Sequence, residues 1–302
     1  MKNVIKLLAI GVLGLAGQQA HAISIEFNYD YDSNNFFSTQ VKKDVLESAA
    51  GFFENRISDN LTAINSSGIN HYNAVFSNPG DGSEETITDF SVATDTLLVY
   101  AGGQTLEGST IGQGGPGGFS ISGTSSFLNS SISRGQGGGV ESGVKGATAF
   151  DFALWGGSIT FDTGAAWYFD TDTSTDESFS GNDFYSIALH ELAHLLGFGT
   201  SDSWDNQVSA GVFTGDNSGS VSLASGDAHW LNGTSSLIDG IDSQETAMDP
   251  SITTGTRKHF TDLDLDGLRD VGWEVNAVPV PAAVYFFGSA LLGLVGFRKK
   301  VK

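Results

Sequence analysis

The sequence predicts an α+β fold: a mixed, twisted sheet with one helix backing it, a second helix carrying the candidate site and a third at the C-terminal end. Three observations lead there. Between Gln40 and Ile57, the residues Val41, Val45, Leu46, Ala49, Phe52, Phe53 and Ile57 recur at the spacing of an amphipathic helix with one apolar face. Thr96–Tyr100 and Gly157–Phe161 are short runs rich in β-branched and aromatic residues, bounded by turn formers, and read as strands. Two further segments carry helix start and stop signals. Asn182 or Asp183 supplies an N-cap, and Gly197 a C-terminal stop, for a helix of about four turns. Thr261 with Asp264 forms a capping-box-like start that Gly272 closes.

Composition narrows the class. The chain has 302 residues, 40 glycines, no cysteine and a formal net charge of −21. No disulfide framework is available, so stability must come from an apolar core and from any bound metal. Residues 1–22 read as a secretory signal peptide: Lys2 and Lys6, an apolar run Leu7–Ala16, then Ala20-His21-Ala22 as a small-x-small cleavage site. Export from the cytoplasm is expected, with signal peptidase as a processing partner. Lys2, Lys6, Arg298, Lys299, Lys300 and Lys302 lie in the two ends, which hold no acid, so the segment 23–277 is more acidic than the whole chain. Nucleic acid is not expected as a partner. The segment is read as one unit with an N-terminal lobe of about 23–197 and a C-terminal lobe of about 198–277.

Glycine-rich stretches punctuate this unit. Gly112–Gly118 and Gly135–Gly139 have neither a phosphate-loop lysine nor a strand-to-helix setting, so flexible surface loops are expected rather than nucleotide cradles. Ser201–Asp227, rich in Gly, Ser and Asp, reads as a long connection of the kind that is usually functional or mobile.

The chemistry concentrates in His190-Glu191-Leu192-Ala193-His194, followed by Gly197-Phe198. Two histidines four apart on a helix lie on one face about a turn from each other and can share a metal, while Glu191 points to the side where an attacking water would sit. Zinc in a hydrolase takes three protein ligands and leaves a fourth position to water. A further ligand is therefore needed. His21 leaves with the signal peptide, and His71, His229, His259 and Asp202 stand as candidates for it.

The order His190-Glu191-x-x-His194-x-x-Gly197-Phe198, then Ala228-His229-Trp230, then Ala247-Met248-Asp249-Pro250 resembles the leishmanolysin-like branch of the metzincins. In contiguous metzincin motifs the third histidine would fall at position 200, which is Thr200 here; in the leishmanolysin-like branch an insertion separates the glycine from that histidine. The resemblance covers roughly Phe150–Val275 and implies a metzincin-like zincin domain and a zinc metalloendopeptidase. It implies His190, His194 and His229 as zinc ligands, Glu191 as general base and Met248 as the methionine turn beneath the metal. His259 is the alternative third ligand. This sequence departs from animal and protozoan relatives in having no cysteines and a short insertion, which points to a bacterial offshoot. Extended protein or peptide substrates are expected along a sheet edge at Ser158, Ile159, Thr160 and Phe161. The other reading is a noncatalytic extracellular matrix or adhesive protein that retains the fold, against which the intact Glu191 argues.

Asp262-x-Asp264-x-Asp266-Gly267 resembles the first half of a calcium loop, but its twelfth position, where a bidentate glutamate is required, is Trp273. The spacing of Leu263, Leu265, Leu268 and Val271 favours an acidic, N-capped helix there. Asp170, Asp172 and Asp176 offer Ca2+ a loop, though a solvated acidic turn is the commoner outcome. At the far end, Val278-Pro279-Val280-Pro281, the apolar stretch 282–297 and the basic end Arg298–Lys302 are similar to the PEP-CTERM class of sorting signals. That similarity implies transient insertion in the inner membrane, processing by an exosortase-type enzyme, and residence in the cell envelope or extracellular polysaccharide. A permanent single-span anchor is the alternative, on a stretch of about 16 residues where a span needs roughly 17 or more.

Overall fold

The computed structural model describes residues 23–134, 155–173 and 178–276. The expected signal peptide 1–22, the tail 278–302, Gly135–Gly139 and Asp176 lie outside the described residues, among which no helix is long and apolar enough to cross a membrane. The architecture is mixed α and β around a mixed sheet, consistent with a metzincin-like domain.

The central sheet is built from β1 (Ser24–Asn28), β4 (Thr96–Gln104), β5 (Gly112–Pro116) and β7 (Gly156–Asp162), in the order β1-β4-β7-β5. β1 runs parallel to β4, and β4 parallel to β7; β5 returns antiparallel along β7, with Gly112 opposite Phe161. Side chains alternate across a strand, so Leu97, Val99 and Ala101 of β4 enter one core and Tyr100 enters another. A strand covered on both faces reads as a near-continuous apolar run, which is what Thr96–Tyr100 shows. The first core is shared with α1 (Gln40–Glu54) and α3 (Phe184–Leu195), through Val45, Leu46, Ala49 and Phe53 on one helix and Ala188, Leu189 and Leu192 on the other. The α1 helix stops at Glu54, short of the expected Ile57, because Asn55 caps it and Ile57 instead bridges to Val275.

The second core lies under a smaller sheet, β3-β2-β6, made of β2 (His71–Ser77), β3 (Glu84–Ile87) and β6 (Gly118–Ser122), with α2 (Ser125–Ser133) beside it. Tyr72, Phe76, Phe90, Tyr100 and Trp155 fill it. Two short strands, β8 (Trp167–Tyr168) and β9 (Asn182–Asp183), pair just before α3.

Beyond α3, the expected long connection has structure of its own: α4 (Asp202–Asp205) and a three-stranded meander of β10 (Val208–Ser209), β11 (Val212–Gly215) and β12 (Gly219–Ser222). Its polar residues cap rather than float. Asp270 accepts from the backbone of Asn217 and Ser218 and from both their side chains, pinning the meander's turn to the last helix. A hairpin, β13 (Ser235–Ile238) and β14 (Asp242–Glu245), precedes that helix, α5 (Asp262–Val271). Phe198, Trp204, Phe213, Trp230, Met248 and Leu268 join the same apolar cluster as α1 and α3, so one core runs through both parts of the described chain.

Candidate metal centre and substrate cleft

α3 is placed by its caps. Asp183 is the N-cap, its Oδ2 accepting from the Ser186 N–H and hydroxyl at 3.2 and 2.6 Å. Arg257 grips the same carboxylate with Nε and a terminal nitrogen, each at 3.0 Å, so the fully buried acid is neutralised where the helix begins. At the other end Gly197 has φ +95°, Gly197 N–H donates to His194 O, and Phe198 N–H donates to Ala193 O at 3.0 Å. This paired closure is the Schellman stop, and the positive φ is why glycine stands there. The turn also swings the Phe198 carbonyl to within 2.7 Å of His194 Nδ1.

His190, His194 and His229 converge as the group, among the described residues, that could hold a metal ion. Their Nε2 atoms stand 3.1, 3.1 and 3.0 Å apart. His190 Nδ1 faces Ala247 O and His194 Nδ1 faces Phe198 O, both at 2.7 Å. Donation to those carbonyls puts each ring proton on Nδ1, leaving lone pairs on Nε2 pointed at one another. Between His190 and His194 such a contact is repulsive rather than a hydrogen bond, and a cation between them reverses the sign. Three nitrogens at 2.0–2.1 Å from a tetrahedral zinc would be about 3.3–3.4 Å apart, so the donor set fits that ion to within a few tenths of an ångström. Burial, with neighbouring His229, lowers the His190 imidazole to about 4, and burial likewise lowers His194 and His229. All three are held neutral, the form that ligates.

His229 reaches the group through packing. Ala224 N–H donates to His229 O, Trp230 N–H donates to Met248 O, and the fully buried Trp230 ring packs against Phe198, Trp204 and Phe213. Thr200 closes the helix instead, its hydroxyl donating to His194 O at 2.6 Å. Met248 is fully buried, next to the Ala247 that orients His190. One carboxylate ties these parts together. Asp264 accepts from Ala247 and Met248 N–H, from the Trp230 indole, and from the Thr261 N–H and hydroxyl. Burial pushes its carboxyl above the ordinary range while those donors pull it back. His259 lies outside the group; its carbonyl accepts from Gln244. Asp262–Asp266 is helical rather than a calcium loop, with the capping box at Thr261 and Asp264 and the stop at Gly272 as expected. Asp170 is bound to Arg257, and its carboxylate also accepts from Asp172 N–H.

A cleft of about 760 Å3 opens over the imidazoles. One wall is α3 with Ser186, Ile187 and Glu191; the other holds Ser109–Gly114, and the segment Pro250–Ile252 with Lys258 closes one end. Two expectations need correcting here. Ser158–Phe161 is not a sheet edge, because β7 is paired with β4 on one side and β5 on the other. Gly112–Gly118 is not a flexible surface loop: Gly112–Pro116 is the edge strand β5 and lines the cleft, with Gly118 opening β6. Glycine is required because β5 presses on the helix. A Cβ on Gly112 would lie 2.5 Å from Glu191 Oε1, and one on Gly114 would collide with the Glu191 backbone. No local signal in Gly112–Gly118 marks a strand; Gly112 and Gly114 are explained by a helix face distant in sequence. Glu191 is 6% exposed, and burial pushes its carboxyl up to about 8.

A family model described as matrixin, a metzincin family of zinc-dependent peptidases, matches residues 132–232, a span that contains His190, Glu191, His194 and His229. No match is found among curated proteins or among solved structures. The similarity to matrixins over this span supports a zinc metallopeptidase kind of function.

Proposed function

We propose that the protein is an exported zinc-dependent metalloendopeptidase of leishmanolysin-like type, with His190, His194 and His229 as zinc ligands and Glu191 as general base. The observation that carries this is the convergence of three neutral imidazoles within 3.1 Å of one another, at the bottom of a cleft walled by a sheet edge. When bound there, zinc supplies Lewis-acid polarisation of a scissile carbonyl and acidification of a water. The chain's residues do the rest. Glu191, buried in the wall of the cleft, takes a proton from the attacking water and delivers it to the leaving amine. The free edge of β5 pairs with an extended substrate through main-chain hydrogen bonds, which bring affinity with little demand on sequence. Ala247 O and Phe198 O hold the two helix imidazoles in the ligating tautomer.

Export through the signal peptide and processing of the PEP-CTERM-like tail complete the reading; an intact mass that retains Arg298–Lys302 would contradict the processing. The activity is tested with the zinc-loaded protein on casein or gelatin, with and without chelator. Glu191→Ala is expected to keep its zinc and lose hydrolysis by at least about 100-fold. Zinc binding without cleavage of any protein would favour the noncatalytic matrix reading, and full turnover in Glu191→Ala would remove Glu191 from the chemistry.

A further inference from the structure

At the end of the cleft nearest the start of α3, Lys258 carries a buried ammonium, 5% exposed, beside Ser186, whose hydroxyl accepts from Lys258 N–H at 2.8 Å. Its Nζ contacts Asp249 Oδ1 at 2.6 Å, Ser251 O at 2.7 Å and Glu245 Oε2 at 3.0 Å. Two of its hydrogens are donated to Asp249 Oδ1 and Ser251 O, and Glu245 is held as an ion pair. Two carboxylates share the one charge. The neighbouring cation repeats the pattern: Arg257 is divided between Asp170 and Asp183. Lys258 and Asp249 line this end of the cleft, with Glu245 behind them, so one ammonium there faces two carboxylates.

We propose that this arrangement sets substrate preference: the Lys258 end of the cleft refuses acidic side chains and takes neutral or basic ones, and Glu245 is the specificity-determining residue. The proposal rests on the peptidase reading above. A substrate carboxylate entering there competes with Lys258's existing partners and faces two carboxylates against one ammonium, whereas a neutral or cationic side chain meets no such opposition. Asp249 cannot yield, since its side chain is fully buried and also accepts from Ser251 N–H. Glu245 can: its side chain is 39% exposed, at the end of β14, and it makes the longest of the three contacts. Removing its charge leaves one ammonium facing one carboxylate, which evens the balance of this triad.

The test is a peptide library digested by the zinc-loaded full chain, with cleavage sites read by mass spectrometry, for wild type, Glu245→Gln and the control Glu84→Gln, an exposed acid of β3. Wild type and the control are expected to show Asp and Glu depleted at one position flanking the scissile bond. Glu245→Gln is expected to lift that depletion by about tenfold while leaving cleavage at sites with neutral residues within about twofold. Equal cleavage at acidic and neutral sites by wild type, or an unchanged profile in Glu245→Gln, overturns the proposal alone. Cleavage of no peptide by any of the three overturns the peptidase reading, and the proposal with it.

Discussion

Replacing Gly112 by alanine isolates what the glycines of β5 do. A methyl group there would sit 2.5 Å from Glu191 Oε1 and 2.9 Å from both Glu191 Cγ and Ile187 Cγ2. Ordinary contact begins near 3.4 Å, so something must yield by about 1 Å. α3 is buried along nearly its whole length and clamped at both ends, whereas β5 is an edge strand. Either β5 retreats from the helix or the Glu191 carboxylate rotates away, and in both cases the substrate and base of the proposed mechanism lose register. Displacement by 1 Å at a reacting centre costs about 100-fold in rate. Overpacking adds about 1–3 kcal/mol of destabilisation. Gly112 does not have a positive φ, so the effect is steric and not backbone strain. Gly115 supplies the control: a Cβ there meets nothing within 4 Å. The assay is kcat/KM on a fluorogenic peptide with zinc content measured in parallel. Gly112→Ala is expected to keep one zinc and lose about 100-fold, with Gly115→Ala near wild type. Equal activity in the two variants would show that β5 does not set the position of Glu191.

Zinc stoichiometry of His229→Ala and His259→Ala distinguishes the two candidates for third ligand. The first should weaken zinc binding by orders of magnitude and the second should bind as wild type, with competition against a chromophoric chelator as the measurement. Asp264→Asn leaves an amide facing N–H and O–H donors that the carboxylate now accepts. A stability loss of about 2–3 kcal/mol is expected in urea denaturation, together with weaker zinc retention; unchanged stability would mean those donors find other partners.

Much of this was legible from local signals. The helix caps at Asp183, Gly197, Thr261 and Gly272 and the apolar face of α1 are interactions within a few residues, and sequence spacing reports them directly. The sheet edge was not legible, because it depends on which strand lies outermost. Gly157–Phe161 looks like a strand in any position, and only the pairing of β5 along it reveals that it is interior. Gly112–Pro116 has almost no side chains, so propensity argues against a strand; the reason for its glycines is a helix more than seventy residues further along the chain. The charge balance at Lys258 was hidden for a similar reason, since Glu245, Asp249 and Lys258 meet only when the β14 end, the turn after Met248 and the approach to α5 are folded together.

The stretch between Gly197 and His229 shows how the third imidazole keeps its place without a short linker. In a contiguous motif the chain itself limits where that ligand can go. Here the limit is imposed by packing: Trp204, Phe213 and Phe198 enclose Trp230, and Asp264 binds the Trp230 indole with the same carboxylate that fixes the Ala247 and Met248 amides. Ala247 in turn orients His190. The three imidazoles are thus coupled through the interior, and the facing lone pairs of His190 and His194 work against that interior until a cation is bound. Metal affinity and folding should therefore be linked: whatever zinc gains by binding these three nitrogens appears as added stability of the aromatic cluster and of α5, far from the ion itself. Hydrogen exchange with and without zinc reads this directly. Protection should rise at Trp230, Met248 and Leu265 together, and a gain confined to α3 would mean that the segment before His229 holds it independently of the metal.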